Sequence, residues 1–580
     1  MWSETSANLP PSSPTIAVDM DVDEWIEYIL SDPQTIKALK VLGVATSAYA
    51  LYKLAGYILR ELVLVPKLTA LRDVEDLHKP RKGGKIPGRV IICGGSVGGM
   101  LAAAVCADHF ESVLILESEA WANEHGSEVP EEREYRTTSE GYQAVVPPRT
   151  RIMQYYVTNF LQPPVYMALS RLFPNLSEQL DHFGLGPTFA VMRLKFRYGG
   201  IYSEDPYTDM NVKEGVPLTF NISREATETL IRRSVKHSRS NVRFKTGTVT
   251  GFNRKGDRLG GVTVRTEAGE EEERGDFIID ATGPTQLAFN KALNGAGFPV
   301  SPDLRVEYNP NMKYTTGVWT LPDHVRANWP VPGGYEIGVI LTMTPDVEAG
   351  ESRAFYLVTM ERNQMLITTG GWNAPRAAHS IAEARAYVQS LDGQHLLPDW
   401  AWTLLDFLEE HEAECSPFYA EAKVGPLNYI RWQQAQDLPP NFVAIGDAIM
   451  KLNPVYGQGI TKTCIDITTL DAVLRQIPSK IPLPNISKLF FEREAPRVEG
   501  LWDGTRANDY GWTTTIPAEG EDLSHNAFIR KWGRDCIFLG REDPAIHKIW
   551  WNVNMMVAPG TDLFSPRIVV KMLRKKWLGW

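Results

Sequence analysis

The stretch 88–117 constrains the fold more than any other part of the chain. Val90-Ile91-Ile92-Cys93 is a short, wholly apolar run of the kind that makes a buried parallel strand. Gly94-Gly95-Ser96-Val97-Gly98-Gly99 follows, and a helical pattern continues over 100–105. A second apolar run, Val113-Leu114-Ile115-Leu116, ends on Glu117. In such a unit Gly94 permits the tight turn out of the strand, and Gly99 lets the helix pack close to the sheet. The N–H groups that open the helix, around Gly98, point at a pyrophosphate. Glu117, 23 positions after Gly94, is placed to accept hydrogen bonds from ribose hydroxyls. Ser96 stands where a second glycine is usual, and serine is still small enough to let the pyrophosphate approach. The order strand, glycine loop, helix, strand, acid predicts an α/β dinucleotide-binding unit.

Two later segments bear on which dinucleotide. Asp276-Phe277-Ile278-Ile279-Asp280-Ala281-Thr282-Gly283 reads as an apolar strand leading into a small-residue turn, with Asp280 and Gly283 as candidate binding residues. Phe442-Val443-Ala444-Ile445-Gly446-Asp447 is a second strand with a polar end. Pro454-Val455-Tyr456-Gly457-Gln458-Gly459 follows it and opens a helix-like run from Ile460. Asp447 can accept from a ribityl hydroxyl. The new helix start, with Pro454, Gly457, Gly459 and Ile460, offers partial positive charge to the anionic edge of a reduced flavin. A simple NAD dehydrogenase has no use for this second site, so FAD is the expected cofactor.

These motifs resemble those of the FAD-dependent aromatic hydroxylases of the p-hydroxybenzoate hydroxylase type, in a branch whose glycine loop reads GGSxxG. The 94–99 loop, Glu117, the Asp280–Gly283 turn, Gly446-Asp447 and the PVYGQG run each match, and the likeness extends loosely over 88–515. It implies a Rossmann-like FAD-binding fold (glutathione reductase/p-hydroxybenzoate hydroxylase-like), with an interleaved β-sheet substrate domain and a helical C-terminal region. It also implies that Arg224, after Ser223, contacts the flavin nucleotide. An arginine beside the flavin is expected in VVPPRTRIMQYY, where Arg149 and Arg151 are both candidates. NAD(P)H would reduce the flavin as a transient co-substrate without its own Rossmann domain, and dioxygen would supply one oxygen atom to an electron-rich substrate. Gly199-Gly200 and Gly370-Gly371 lack the flanking pattern of a second nucleotide motif and read as turns.

The expected organisation follows. Residues 1–35 are an acidic flexible arm, and 36–87 a hydrophobic helix, possible membrane anchor and linker. FAD-binding parts occupy 88–184, 221–299 and 426–480, substrate-domain parts 185–220 and 300–425, and a helical region 481–580. Tyr198, Tyr314, Trp319 and Trp372 could face a hydrophobic ligand, although such aromatics are more often core.

Charge and the chain ends bear on partners. Sixty Lys+Arg against seventy Asp+Glu give −10, which does not fit a nucleic-acid footprint. Five scattered cysteines show neither metal-ligand spacing nor a disulfide framework. The first residues lack the basic and apolar regions of a signal peptide. VLGVATSAYALYKLAGYIL (41–59) has the length to cross about 30 Å of hydrocarbon as a helix, either spanning a bilayer or lying on it. Cations follow it, which predicts a body on the cytosolic side, as at the endoplasmic reticulum. RIVVKMLRKKWLGW (567–580) has five cations and two tryptophans, which suits a lipid headgroup layer.

The expected function is monooxygenation of a lipophilic small molecule, such as a phenolic or terpenoid secondary metabolite, by hydroxylation or epoxidation. An isoprenoid reductase or dehydrogenase is the main alternative. A flavin-dependent halogenase is a further one, but the WxWxIP segment of those enzymes is missing. A catalytically idle scaffold fits poorly with an intact Glu117, Asp447 and Gly459.

Overall fold

A computed structural model describes Asp21, Ser31, Arg149, Leu397 and residues 33–128, 153–157, 159–183, 217–335, 340–361, 363–374, 377–391, 399–415 and 417–578. It also describes short strands at 136–138, 141–143, 188–189, 194–198 and 201–204. The arm expected over 1–35 lies almost wholly outside these residues. The chain divides into two units, up to Val63 and from Leu64 onward.

The first unit is helix α1 (Pro33–Ile58), whose apolar side chains, among them Val41, Leu51 and Tyr57, are exposed. Among the described residues no helix is both long and apolar enough to cross a membrane. α1 meets the length condition only: Gly43, Thr46, Ser47, Lys53 and Gly56 dilute its hydropathy.

The second unit is built on a five-stranded parallel sheet. Its strands are β1 (Ile86–Cys93), β2 (Phe110–Glu117), β3 (Val242–Thr246), β4 (Phe277–Asp280) and β5 (Phe442–Ala444), in the order β5-β4-β1-β2-β3. Val90, Ile91, Ile92 and Cys93 are fully buried, because a central parallel strand is covered on both faces. The register sets Cys93 opposite Leu116 and Asp280, and Asp280 opposite Ala444. The ends of β1, β2, β4 and β5 are thus brought level, and loops that leave them share one edge, the usual place for a ligand in an open α/β sheet. Helix α2 (Val97–His109) packs against both α3 (Arg224–Ser238) and α4 (Gly459–Gln476).

A seven-stranded sheet is interleaved with this core. Its order is Phe418–Lys423, Met312–Thr320, Gln364–Trp372, Arg353–Thr359, Ile340–Met343, Leu194–Tyr198, Ile201–Glu204. Every pairing is antiparallel except Ile340–Met343 with Leu194–Tyr198. Its own apolar cluster includes Trp319, Leu341, Phe355 and Ile367, under the helices Ile381–Ser390 and Asp399–Glu410. Gly370 and Gly371 are strand residues and not the expected turn. A Cβ on Gly370 would lie 2.4 Å from the Lys313 carbonyl oxygen, and one on Gly371 2.1 Å from that of Ser352, so the strands approach too closely for a side chain. The chain ends in α5 (Ile486–Asp509), α6 (Ala527–Glu542), α7 (Pro544–Asn554) and α8 (Pro566–Leu578).

Candidate functional site

The glycine loop is shaped by backbone contacts. Gly94 has φ +111°, and a Cβ there would sit 2.3 Å from the Ala281 carbonyl oxygen. A Cβ on Gly99 would sit 1.8 Å from the Gly94 carbonyl oxygen, so α2 can rest on the loop only with glycine there. Gly98 differs: the nearest atoms to a Cβ would be Thr463 Cγ2 at 3.6 Å and Ile445 Cδ1 at 4.0 Å. No side chain caps α2. Its first-turn N–H groups are thus left for an anion.

An ionic cluster surrounds this loop. The buried Glu117 accepts from Gly95 N and Arg149 Nη2 at Oε2, both at 3.0 Å, and from Glu119 N at Oε1, at 3.1 Å. Arg149 also donates to Glu119 (2.5 Å) and pairs with Glu228. Glu228, on α3, is fully buried and accepts from Ser96 Oγ (2.9 Å), Arg224 (3.2 Å) and Arg232 (2.9 Å). Burial pushes the Glu228 carboxyl up, but the guanidiniums of Arg224, Arg232 and Arg149 outweigh it and hold it at about 2. The Ser96 hydroxyl, donating to Glu228, accepts from Arg224 Nη2 at 2.9 Å. Glu228 and Arg232 are not among the expected site residues. Their signal was the four-residue spacing of Arg224, Glu228 and Arg232, which stacks all three on one face of a helix.

The later segments split. Asp280 is fully buried, and its carboxylate accepts from Thr282 N (2.9 Å), Thr282 Oγ1 (2.6 Å) and Ala288 N (2.8 Å). It holds the turn after β4, where Gly283 takes φ +60°. Gly446, with φ +62°, is pinned from two sides: its N–H donates to Asp466 Oδ2 at 2.8 Å, and its carbonyl accepts from Lys462 Nζ at 3.0 Å. Lys462 and Asp466 are themselves paired at 2.8 Å. The Asp447 carboxylate has no hydrogen bond among the described residues. Burial pushes its pKa up, opposed by Lys462, Lys451 and Arg224.

The two halves meet. Gly98, at the start of α2, faces Thr463 on α4 and Ile445 before the Gly-Asp turn, and Arg224 lies close enough to act on both Ser96 and Asp447. α4, which begins at Gly459 and Ile460, also lacks a side-chain cap. By contrast α3 is capped by Ser223 and α5 by Asn485. Two uncapped helix starts that meet at Gly98, and a carboxylate with no hydrogen bond among the described residues, fit a dinucleotide with an anionic centre. At Glu117 the fit is tighter, since Gly95, Arg149 and Glu119 already donate to it.

A cavity of about 1,000 Å³ adjoins the PVYGQG loop. Tyr314, Tyr356 and Trp372 of the seven-stranded sheet form one wall; Pro454, Tyr456, Gly457 and Gln458 lie at one end. Gly457 takes φ +64°, and a Cβ there would meet Phe160 at 2.9 Å. Trp512 and the C-terminal region, with Ile529, Trp532, Trp550 and Phe564, form another wall, and Leu68, Val74, Phe160 and Met167 also line it. Below the loop, the fully buried Asp509 accepts from Tyr308 Oη (2.7 Å), Tyr456 Oη (2.9 Å) and Asn453 Nδ2 (3.1 Å), and burial pushes it up to about 7.

Of the four aromatics singled out, Tyr314 and Trp372 line this cavity, Trp319 is core of the seven-stranded sheet, and the Tyr198 side chain lies outside the described residues. Arg151 lies outside them too. The helices α5, α6 and α7, which the sequence reading left without a role, line the cavity. Nothing in their residues marks that, because the wall exists only after the helices dock. The one Trp-x-Trp of the chain, Trp400-Ala401-Trp402, lies on Asp399–Glu410 and packs on the outer core, away from the cavity lining.

No family model and no curated protein sequence matches the chain. Solved structures do. A flavin-dependent brominase, Bmp2, is 11% identical over 84% of this chain and 99% of its own, with a TM-score of 0.51. A flavoprotein/dehydrogenase from Cytophaga hutchinsonii is 13% identical over 85% and 98%, at 0.49. PqsL, a probable FAD-dependent monooxygenase from Pseudomonas aeruginosa, is 14% identical over 81% and 100%, at 0.42. At these identities the likeness speaks for the fold. What the brominase shares with this chain is the fold, over 84% of the chain.

Proposed function

We propose that the protein is an FAD-dependent, NAD(P)H-consuming monooxygenase that hydroxylates or epoxidises a lipophilic small molecule. The observation that carries this reading is the meeting of the 94–99 loop with the Gly446-Asp447 turn at one edge of an FAD-type sheet, next to an apolar cavity. In this reading the N–H groups at the start of α2, with Ser96 and Gly98, hold the pyrophosphate. Arg224 sits against it, and Glu117 takes the adenosine ribose by sharing or exchanging its Arg149 contact. Asp447 accepts from the ribityl chain. The start of α4, with Pro454, Gly457, Gly459 and Ile460, places positive potential at the pyrimidine edge. Bound FAD supplies the redox chemistry with dioxygen. The chain binds, orients and excludes water: Tyr314, Tyr356, Trp372 and Trp512 offer a substrate an apolar wall.

NADPH consumption by purified, FAD-loaded protein is followed with and without dioxygen across lipophilic phenols and terpenoids. Oxygen-dependent turnover with a product heavier by one oxygen is the expected result. Anaerobic turnover with a product heavier by two hydrogens would mean a reductase and refute the reading. One finding favours a second reading, halogenation: the brominase shares this fold over nearly its whole length. Turnover that requires bromide and gives a brominated product would establish that reading instead.

A further inference from the structure

The last helix of the chain has two unlike faces. On its inner face Ile568 and Met572 join Trp532, Cys536, Leu539, Ile546 and Leu563 in a small core shared by α6, α7 and the segment before α8. Arg567 and Lys571 pair with Asp543 at 2.9 and 3.5 Å, and Lys575 with Glu542 at 2.9 Å, so this face is tied down by charge as well. On the opposite face Val570, Leu573 and Trp577 are 47%, 50% and 79% exposed, and their spacing of three and four residues makes them one stripe. Arg574 and Lys576 flank that stripe, one on each side. Neither has an ion-pair partner among the described residues, and α8 contains no acidic residue. Ile529 and Phe564, on the elements before α8, are also exposed and line the cavity, and Trp532 stacks on Phe564 with ring centroids 5.2 Å apart.

We propose that the outer face of α8 docks the C-terminal helices on an anionic lipid surface. Charge complementarity selects the partner. In a chain of net charge −10, two unpaired cations bracket an apolar stripe ending in tryptophan, the arrangement that lets a helix lie at headgroup depth. Three exposed apolar residues are too few for a stable protein interface, which needs roughly 1,000 Å² of buried surface. They suffice for shallow insertion, where surface charge adds to apolar burial.

The test is co-sedimentation of the full chain with vesicles of phosphatidylcholine alone, or with about one third phosphatidylserine, where each cation near the surface strengthens partition several-fold. The expected result is binding to the anionic vesicles that high salt weakens. Arg574→Gln with Lys576→Gln should lower it by about tenfold or more. Leu573→Ser with Trp577→Ser should lower it on either vesicle. Circular dichroism melting checks that these exposed substitutions leave the fold intact. No binding by the wild type, or equal binding by both double variants, as when another segment or a protein partner holds the membrane, would overturn the proposal. Because the readout needs no substrate, a failed turnover assay would count against the monooxygenase reading and leave the docking standing.

Discussion

Gly99 and Gly98 are neighbours in one helix turn, and the structure separates what each is for. An alanine methyl at Gly99 would lie 1.8 Å from the Gly94 carbonyl oxygen, whereas carbon and oxygen in ordinary contact sit about 3.3–3.6 Å apart. Relief requires α2 to move by about 1.5 Å, and the opposing atom is backbone inside a buried sheet, so the cost belongs at the top of the overpacking range, about 3 kcal/mol. At a urea slope of about 3 kcal/mol/M the unfolding midpoint of Gly99→Ala should fall by about 1 M. At Gly98 the nearest atom to the new methyl is 3.6 Å away, an ordinary contact. Gly98→Ala should therefore hold or raise the midpoint, by up to about 1 kcal/mol of helix propensity. Its methyl would project between the α2 and α4 starts toward Thr463 and Ile445, and FAD affinity measured by flavin fluorescence quenching should drop roughly tenfold, about 1.4 kcal/mol. Wild-type unfolding of Gly99→Ala, or wild-type FAD affinity of Gly98→Ala, would refute the assignment of one glycine to packing and the other to the cofactor.

Three further outcomes follow from the buried charges. Glu228, held at about 2, contributes stability that is present above its unfolded value of 4.5 and is lost as pH falls toward 2; Glu228→Gln should cost about 3 kcal/mol at pH 7, with the gap to wild type closing in acid. Asp509, raised to about 7, acts in the other direction: stability is full below its unfolded value of 3.8 and declines as pH rises through 7. Asp509→Asn should flatten that decline, worth up to about 4 kcal/mol, in urea midpoints taken from pH 4 to 8. Lys462→Met leaves Asp466 without its cation and the Gly446 carbonyl without its donor. It should cost about 3–5 kcal/mol in urea unfolding and lower FAD retention on gel filtration.

The first strand–helix–strand unit could be read because its logic is local: a strand, a turn, a helix and a strand within thirty residues, each with its own periodicity. Convergence with the Gly446-Asp447 turn could be inferred only from resemblance, since nothing local to 442–459 names its neighbours. Asp280 shows the limit of motif reading. An acid at a strand end looks available to a ligand, yet Thr282 and Ala288 take both of its oxygens, and backbone amides two and eight residues away are invisible to a pattern. Arg149 could be located only as one of two arginines, because its partners Glu117 and Glu228 lie far off in sequence on different elements. The aromatics divided for a similar reason: Trp319 and Trp372 sit at the two ends of paired strands, and the helices packed outside them decide which faces the cavity.

The position of β5 has a consequence for biosynthesis. Its strand neighbour β4 leaves the ribosome ~160 residues earlier, a delay of about 10–30 s at ordinary elongation rates. During that interval the nascent sheet has an open, apolar edge at the place the 442–444 segment takes in the folded protein. A transcript cut short before that point would yield half a cradle and a sticky margin, so truncated products of this gene should be cleared or clump rather than accumulate as partly active protein.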